Sequence, residues 1–265
     1  MRAMTFAAAM CAAIGPALAA PPGPPNYVDL QLVLAVDVSG SMDSVEQRVQ
    51  RDGYVAAFRH PDVLRAIASG PYGAVAVTYI EWSGAFYQVV TVPWRIITSD
   101  EDSLAFADEL ARAPITREQR TSISGGLLFA QDAFRQSLVD SDRRTVDVSG
   151  DGANNDGKPV LPIRDTLLKE GVVINGLPIL INPSPLYGGL TLDEYYRGCV
   201  IGGPGAFLIP VSDNSQFEIA IRRKLVLEIA GLPPRVVPVS EVAQLIAPTV
   251  DCLAGEKARQ LGNQP

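Results

Sequence analysis

Continuous apolar runs alternate along this chain with stretches in which apolar residues recur at helical spacing. Asp29 to Val36 (DLQLVLAV) is apolar on both faces, the pattern of a central parallel strand covered from both sides. Ser44 to His60 carries Val45, Val49, Tyr54, Val55 and Phe58 mostly at helical spacing and predicts a helix. Ala74 to Glu81 and Phe86 to Ile97 read as strands, with Pro93 placing the second at an edge or a bulge. Ser99 opens a helix whose first turn holds Asp100, Glu101 and Asp102, favourable for the helix dipole, and Pro114 closes it. A helix over Ser124 to Ser137, a short strand over Thr145 to Ser149 and a helix over Ile163 to Glu170 follow. Val172 to Ile181 and Phe207 to Val211 predict strands, and Gln216 to Ala230 a helix stopped by Gly231 and two prolines. This alternation predicts an α/β domain with a mostly parallel central sheet and helices on both faces. Ligands of such sheets sit outside the carboxyl ends of the strands.

The ends change that picture. Arg2 followed by apolar Phe6 to Ile14 and the small-residue signal Ala17-Leu18-Ala19 predicts a signal peptide over residues 1–20, cleaved near Ala19 or Ala20. Met10 before Cys11 argues against a lipoprotein cleavage box, so the expected product is exported, periplasmic or secreted from a bacterium. No later segment has the length of a membrane helix. The main domain is expected over 28–232. The tail, 233–265, is less regular, with short helices over Glu241 to Ile246 and Leu253 to Leu261 broken at Pro248.

Charge and cysteines narrow the function classes. The chain has 22 basic and 29 acidic residues, a formal charge of −7 that loss of Arg2 would move to −8. No basic stripe exists to displace counterions, which speaks against nucleic acid. Without Cys11, two cysteines remain, Cys199 and Cys252, and in an exported protein they suggest one disulfide pinning the tail to the domain. Closing a loop of roughly fifty residues would contribute about 4 kcal/mol on the chain-entropy model.

The chemistry begins where the first strand ends. Asp37-Val38-Ser39-Gly40-Ser41 puts one carboxylate and two hydroxyls at alternate positions, a set of oxygen donors suited to a hard divalent cation. Thr121-Ser122-Ile123-Ser124-Gly125-Gly126-Leu127 opens a helix with a threonine that can present its hydroxyl beside the strand ends. Gly150-Asp151-Gly152 follows a strand and offers a second carboxylate. Taken singly, these residues also suit turns and helix caps.

In that order and spacing, Asp37, Ser39, Ser41, Thr121 and Asp151 resemble the metal-ion-dependent adhesion site of the von Willebrand factor A-like family. The likeness covers about Asp29 to Gly231 and is similar to an exported bacterial branch in Glu81-Trp82-Ser83-Gly84, Tyr195-Tyr196-Arg197 and Val200 to Phe207. The resemblance implies a von Willebrand factor A / Rossmann-like fold and a bound cation, Mg²⁺ first, with Mn²⁺ or Ca²⁺ as alternatives. It implies that Ser39, Ser41 and Thr121 touch the metal, that Asp37 and Asp151 do so directly or through water, and that one position stays open. Two carboxylates nearly neutralise a divalent ion while hydroxyls add no charge, so the cation keeps its attraction for an Asp or Glu of a partner protein.

A rival reading belongs to a different class. Asp37 to Ser41 is also similar to the D-K-T-G-T motif of haloacid-dehalogenase-like phosphotransferases, and Gly150 to Asp156 to their G-D-G-x-N-D segment, which would make Asp37 a Mg²⁺-assisted nucleophile. Ser39 stands where those enzymes need an acid/base carboxylate, the first lysine is Lys158, after the second motif, and Asn154-Asn155 adds one residue too many. Other catalytic sets fail: His60 is the single histidine and is expected at a helix end, no G-x-S-x-G elbow exists, and Gly202 to Gly205 lacks the following Lys-Ser/Thr of a phosphate loop. Ala153 sits where a calcium-loop ligand belongs. Trp82, Trp94, Tyr195 and Tyr196 are expected in the core or on a sheet edge, and Arg222-Arg223-Lys224 on a solvated face. The reading that results is a non-enzymatic, cation-dependent protein-binding module, with the phosphotransferase and a metal-independent interaction domain as alternatives.

Overall fold

The computed structural model describes residues 26–182, 186–231 and 250–262. The expected signal peptide over 1–20 and the expected helix over Glu241 to Ile246 lie outside the described residues.

A five-stranded sheet in the order β3-β2-β1-β4-β5 forms the middle layer. β1 (Leu30–Asp37) is central and buried at every position, as its continuous apolar run demands. β2 (Val75–Trp82) and β4 (Arg144–Gly150) flank it in parallel, and β5 (Val172–Pro178) continues in parallel beyond β4. β3 (Gln88–Ile97) is the outer strand, antiparallel to β2, so Pro93 sits at an edge, and the register slips on either side of Tyr79. The predicted strand Phe207 to Val211 is reduced to isolated parallel bridges to β5, Gly176 with Leu208 and Ile179 with Val211. Its N–H groups that face β5 still donate, Ile209 to the Gly176 carbonyl at 3.0 Å and Val211 to the Pro178 carbonyl at 2.9 Å.

The helices are α1 (Ser44–Phe58), α2 (Pro61–Ala68), α3 (Asp100–Arg112), α4 (Ile123–Arg135), α5 (Val160–Lys169), the short α6 (Leu192–Tyr195), α7 (Phe217–Ala230) and α8 (Ala254–Gln260). α6 runs straight into a π-helical turn, Tyr196–Val200. Strand alternation divides the apolar residues between two cores. Leu32, Leu34 and Val36 of β1 pack with α1, α2, α3 and α7 on one face. Val33 and Ala35 pack with α4, α5, Tyr195, Tyr196 and Ala254 on the other.

Two further sequence expectations change. The helix expected to reach His60 ends at Phe58, and His60 caps a separate α2, its Nδ1 accepting from the Asp62 N–H at 3.1 Å with Pro61 in the first turn. Lys224, expected on a solvated face, is completely buried, with ion pairs to Asp147 (2.6 Å) and to Glu228. Three consecutive residues span about 200° of a helix, which carries Lys224 round to the buried face. The expected disulfide is present: Cys199 in the π turn bonds Cys252, with Cα atoms 5.5 Å apart.

Candidate functional site

β1 delivers Asp37 to the carboxyl end of the sheet, and the chain then folds back on that side chain. The Ser39 N–H donates to Asp37 Oδ1 at 2.8 Å, Ser39 Oγ lies 3.1 Å from Ser41 Oγ, and Ser41 Oγ donates to Asp151 Oδ1 at 2.7 Å. Asp43 ends this loop by capping α1, with Glu46 returning the bond to the Asp43 N–H.

Thr121 and Asp151 arrive from two other connections. Asp151 follows β4 directly. Thr121 precedes α4 and is fastened to the loop after Asp151: its N–H donates to Asn155 Oδ1 at 3.0 Å, and its carbonyl accepts from the N–H groups of Asn155 (2.8 Å) and Asp156 (3.2 Å). Thr121, Ser39, Ser41 and Gly152 line one open cleft of about 360 Å³, together with Gly40, Asn155 and the segment Arg117 to Arg120. All five residues expected at the site therefore meet at one end of the sheet. Asp37, Ser39, Ser41 and Asp151 are linked by hydrogen bonds, and Thr121 faces the same cleft.

Burial makes this an uneasy place for two carboxylates. Asp37 is fully buried, and its Oδ2 has no hydrogen-bond partner among the described residues. Burial, followed by the negative charge of Asp151, pushes the Asp37 carboxyl well above its ordinary range. Burial raises Asp151 to about 6, while the Ser41 hydrogen bond pulls it the other way. Gly150 makes the crowding feasible, since a Cβ there would stand 2.9 Å from Asp37 Oδ2 and 3.0 Å from Tyr196 Oη. No group of three or more His, Cys, Asp or Glu among the described residues is placed to hold a metal. A cation here would rest on two carboxylates and three hydroxyls. That is a donor set of oxygens alone, and an unpartnered buried carboxylate oxygen is the feature a hard divalent ion would satisfy.

The rim and its supports were not foreseen from the sequence. Segment 117–120 runs beside the serine loop: the Glu118 N–H donates to the Val38 carbonyl at 2.9 Å, and Arg117 Nε donates to the Met42 carbonyl at 3.1 Å. From the far end of the chain, α8 clamps the loop after Asp151. Asn154 Nδ2 donates to Glu256 Oε1 at 2.8 Å, and Arg259 Nη1 reaches the Asn155 carbonyl (2.8 Å) and Asp156 Oδ1 (2.9 Å). Only the asparagine pair in Gly150 to Asp156 signalled this clamp, and it was an anomaly in a phosphotransferase motif. Trp82, Tyr195 and Tyr196 are buried as expected, and half-buried Trp94 donates to the Ala133 carbonyl at 3.0 Å.

Among curated proteins, none matches the sequence. Solved structures share the fold at low identity. Proximal thread matrix protein 1 of the mussel byssus aligns with a TM-score of 0.57 at 17% identity, over 77% of this chain and 49% of that one. A second structure of the mussel protein, described as having a zinc-occupied MIDAS motif, aligns at 0.51 and 15%, over 75% and 46%. The pilus adhesin SpaC of Lactobacillus rhamnosus GG, in an open conformation, aligns at 0.56 and 15%, over 78% and 31%. A von Willebrand factor type A protein of Catenulispora acidiphila aligns at 0.53 and 11%, over 77% and 43%. The chain thus spans half or less of the length of these proteins. The family described as "Protein of unknown function (DUF1194)" matches residues 27–233. The chain belongs to the DUF1194 family, and its fold is von Willebrand factor A-like.

Proposed function

We propose that this protein is an exported, periplasmic or secreted, non-enzymatic binding module that takes a carboxylate of a partner protein on a divalent cation held by Asp37, Ser39, Ser41, Thr121 and Asp151. The observation that carries the reading is the buried Asp37 with an unpartnered Oδ2, joined through Ser39 and Ser41 to a second carboxylate beneath an open cleft. Mg²⁺ suits two carboxylates and three hydroxyls, with Mn²⁺ or Ca²⁺ as alternatives, and the zinc-occupied MIDAS of the mussel protein supports divalent binding on this fold. When bound, the cation would supply a positive charge that attracts an incoming Asp or Glu. This chain's residues do the rest: Ser39 fixes one oxygen of Asp37, Ser41 orients Asp151, and the Asn155 clamp holds Thr121 at the cleft. Full burial of Asp37 behind Ser39 fits a metal holder better than a nucleophile that must meet a phosphate ester.

Thermal unfolding with Mg²⁺ or Mn²⁺ against EDTA tests this. Stability should rise with ion concentration, by about 2.7 kcal/mol at a hundredfold excess over Kd, and the response should vanish in Asp37→Ala. No shift at millimolar ion would sink the proposal. Hydroxylamine-labile phosphate on Asp37 would overturn the non-enzymatic part alone.

A further inference from the structure

We propose that Arg120 is a second anion-binding point beside the candidate cation site, so that the partner segment gripped here carries two acidic groups. This rests on the cation-dependent reading above.

Arg120 has φ 71, the one non-glycine residue with positive φ among the described residues. That conformation crowds Cβ against the carbonyl oxygen and is normally left to Gly, Asn or Asp, so an arginine adopts it only where its surroundings over-determine it. They do so here. The Ser83 hydroxyl lies 2.8 Å from the Gln119 carbonyl and 2.9 Å from the Arg120 carbonyl, and the Ser122 N–H donates to the Ser83 carbonyl at 2.7 Å. Arg120 so held lines the same cleft as Ser39, Ser41 and Thr121.

Charge at the rim leaves this arginine incompletely matched. Its carboxylate neighbour is Asp156, 3.6 Å away, and Asp156 Oδ1 already accepts from Arg259 at 2.9 Å. Asp156 Oδ2 accepts from the Ala85 N–H at 2.9 Å, so one carboxylate serves two guanidinium groups and a backbone donor. Arg117 directs its donors to the carbonyls of Gly40 and Met42, and Glu118 offsets one of the two rim charges. One positive charge is left over among Arg117, Glu118 and Arg120. The Arg120 side chain keeps 46% of its surface exposed, open to a carboxylate that its planar fork can engage through two bonds. A partner with acids at both points gains from linkage, because the second contact forms at high effective concentration. The second acid has two sources, a side chain or the free carboxyl end of a chain.

The test measures binding of short synthetic peptides to the full chain in Mg²⁺ and in EDTA. Peptides with one Asp are compared with peptides whose two Asp residues are adjacent or separated by one or two Gly, each with a free and an amidated C-terminus. In Mg²⁺, at least one diacid should bind tenfold or more tighter than the monoacid. Arg120→Asn keeps a residue that tolerates the left-handed backbone, so it should retain the Tm and the Mg²⁺-induced shift while the preference falls to twofold or less. Arg120→Lys should retain part of it. A preference seen only with free C-termini assigns the second acid to a chain end. A preference that survives in Arg120→Asn, or Mg²⁺-dependent binding without preference in the wild type, overturns the Arg120 assignment and leaves the cation site standing. No Mg²⁺-dependent binding of any peptide overturns both.

Discussion

Asp37 and Glu228 are both buried carboxylates, but their surroundings give them different work. Glu228 stands beside a cation: Lys224 pairs with it, Asn175 Nδ2 donates to its Oε1 at 2.8 Å, and Asp147 and Tyr54 complete the pocket from β4 and α1. Burial and then the Asp147 charge raise Glu228 from 4.5 to about 7 despite Lys224. The native state therefore holds a proton that the unfolded chain releases, and stability is lost as pH rises from about 4.5 towards 7. Glu228→Gln removes this term, so its Tm relative to wild type should climb between about pH 5 and about pH 8; parallel curves would contradict the assignment. Asp37 has no ion pair among the described residues, only the Ser39 N–H on Oδ1 and an unpartnered Oδ2, and Gly150 beside it has no room to grow. Gly150→Ala should cost about 1–3 kcal/mol in a urea melt, the usual price of overpacking. It should also abolish the Mg²⁺-induced shift, because the first atom displaced is Asp37 Oδ2.

The least regular segments turn out to be the supports of the site. α8 has only seven residues, too few to be stable alone. It is held by the Cys199–Cys252 bridge, 53 residues apart in sequence, and by the bonds of Glu256 and Arg259 to the loop after Asp151. Cys252→Ser should lower stability by about 4 kcal/mol on the loop-entropy argument, read as the difference in urea midpoint. Gly255 offers a sharper test, since a Cβ there would lie 2.2 Å from the Asn154 carbonyl oxygen. Gly255→Ala should lift α8 from the loop and weaken Mg²⁺ binding with the disulfide intact; unchanged Mg²⁺ affinity would show that the clamp does not position Asp151. The helix boundary at Phe58 was hidden for a local reason. His60-Pro61 reads as a stop, and the structure uses it as a stop and a restart.

Across the molecule, the parallel strands β1 and β4 carry Asp37 and Asp151 to the same end, and the crossing helices keep the two faces dry. No helix of the described residues is long and apolar enough to cross a membrane. A cation bound at that end should slow amide hydrogen exchange over 38–42, 117–122 and 151–156 and leave the opposite end, around Asn26 and Tyr72, unchanged. Slowing at the opposite end instead would place the ion elsewhere.

The apolar runs specified the strands, because a fully buried parallel strand must be apolar on both faces. The residues of the candidate site were also legible as oxygen donors, because the oxygen chemistry proposed for a cation calls for Asp, Ser and Thr at the carboxyl end of the sheet. Three things were not. Nothing local separates Lys224 from its exposed neighbours; its burial depends on Asp147 and Glu228 arriving from β4 and one turn further along α7. The clamp of α8 joins residues about a hundred positions apart, Asn154 with Glu256 and Asp156 with Arg259. Arg120 carries no local signal in the sequence; the folded chain fixes its backbone at φ 71 and sets it beside the cleft. Patterning along a chain reports which residues must be dry and which can bind, whereas pairing and strain arise only when distant segments meet.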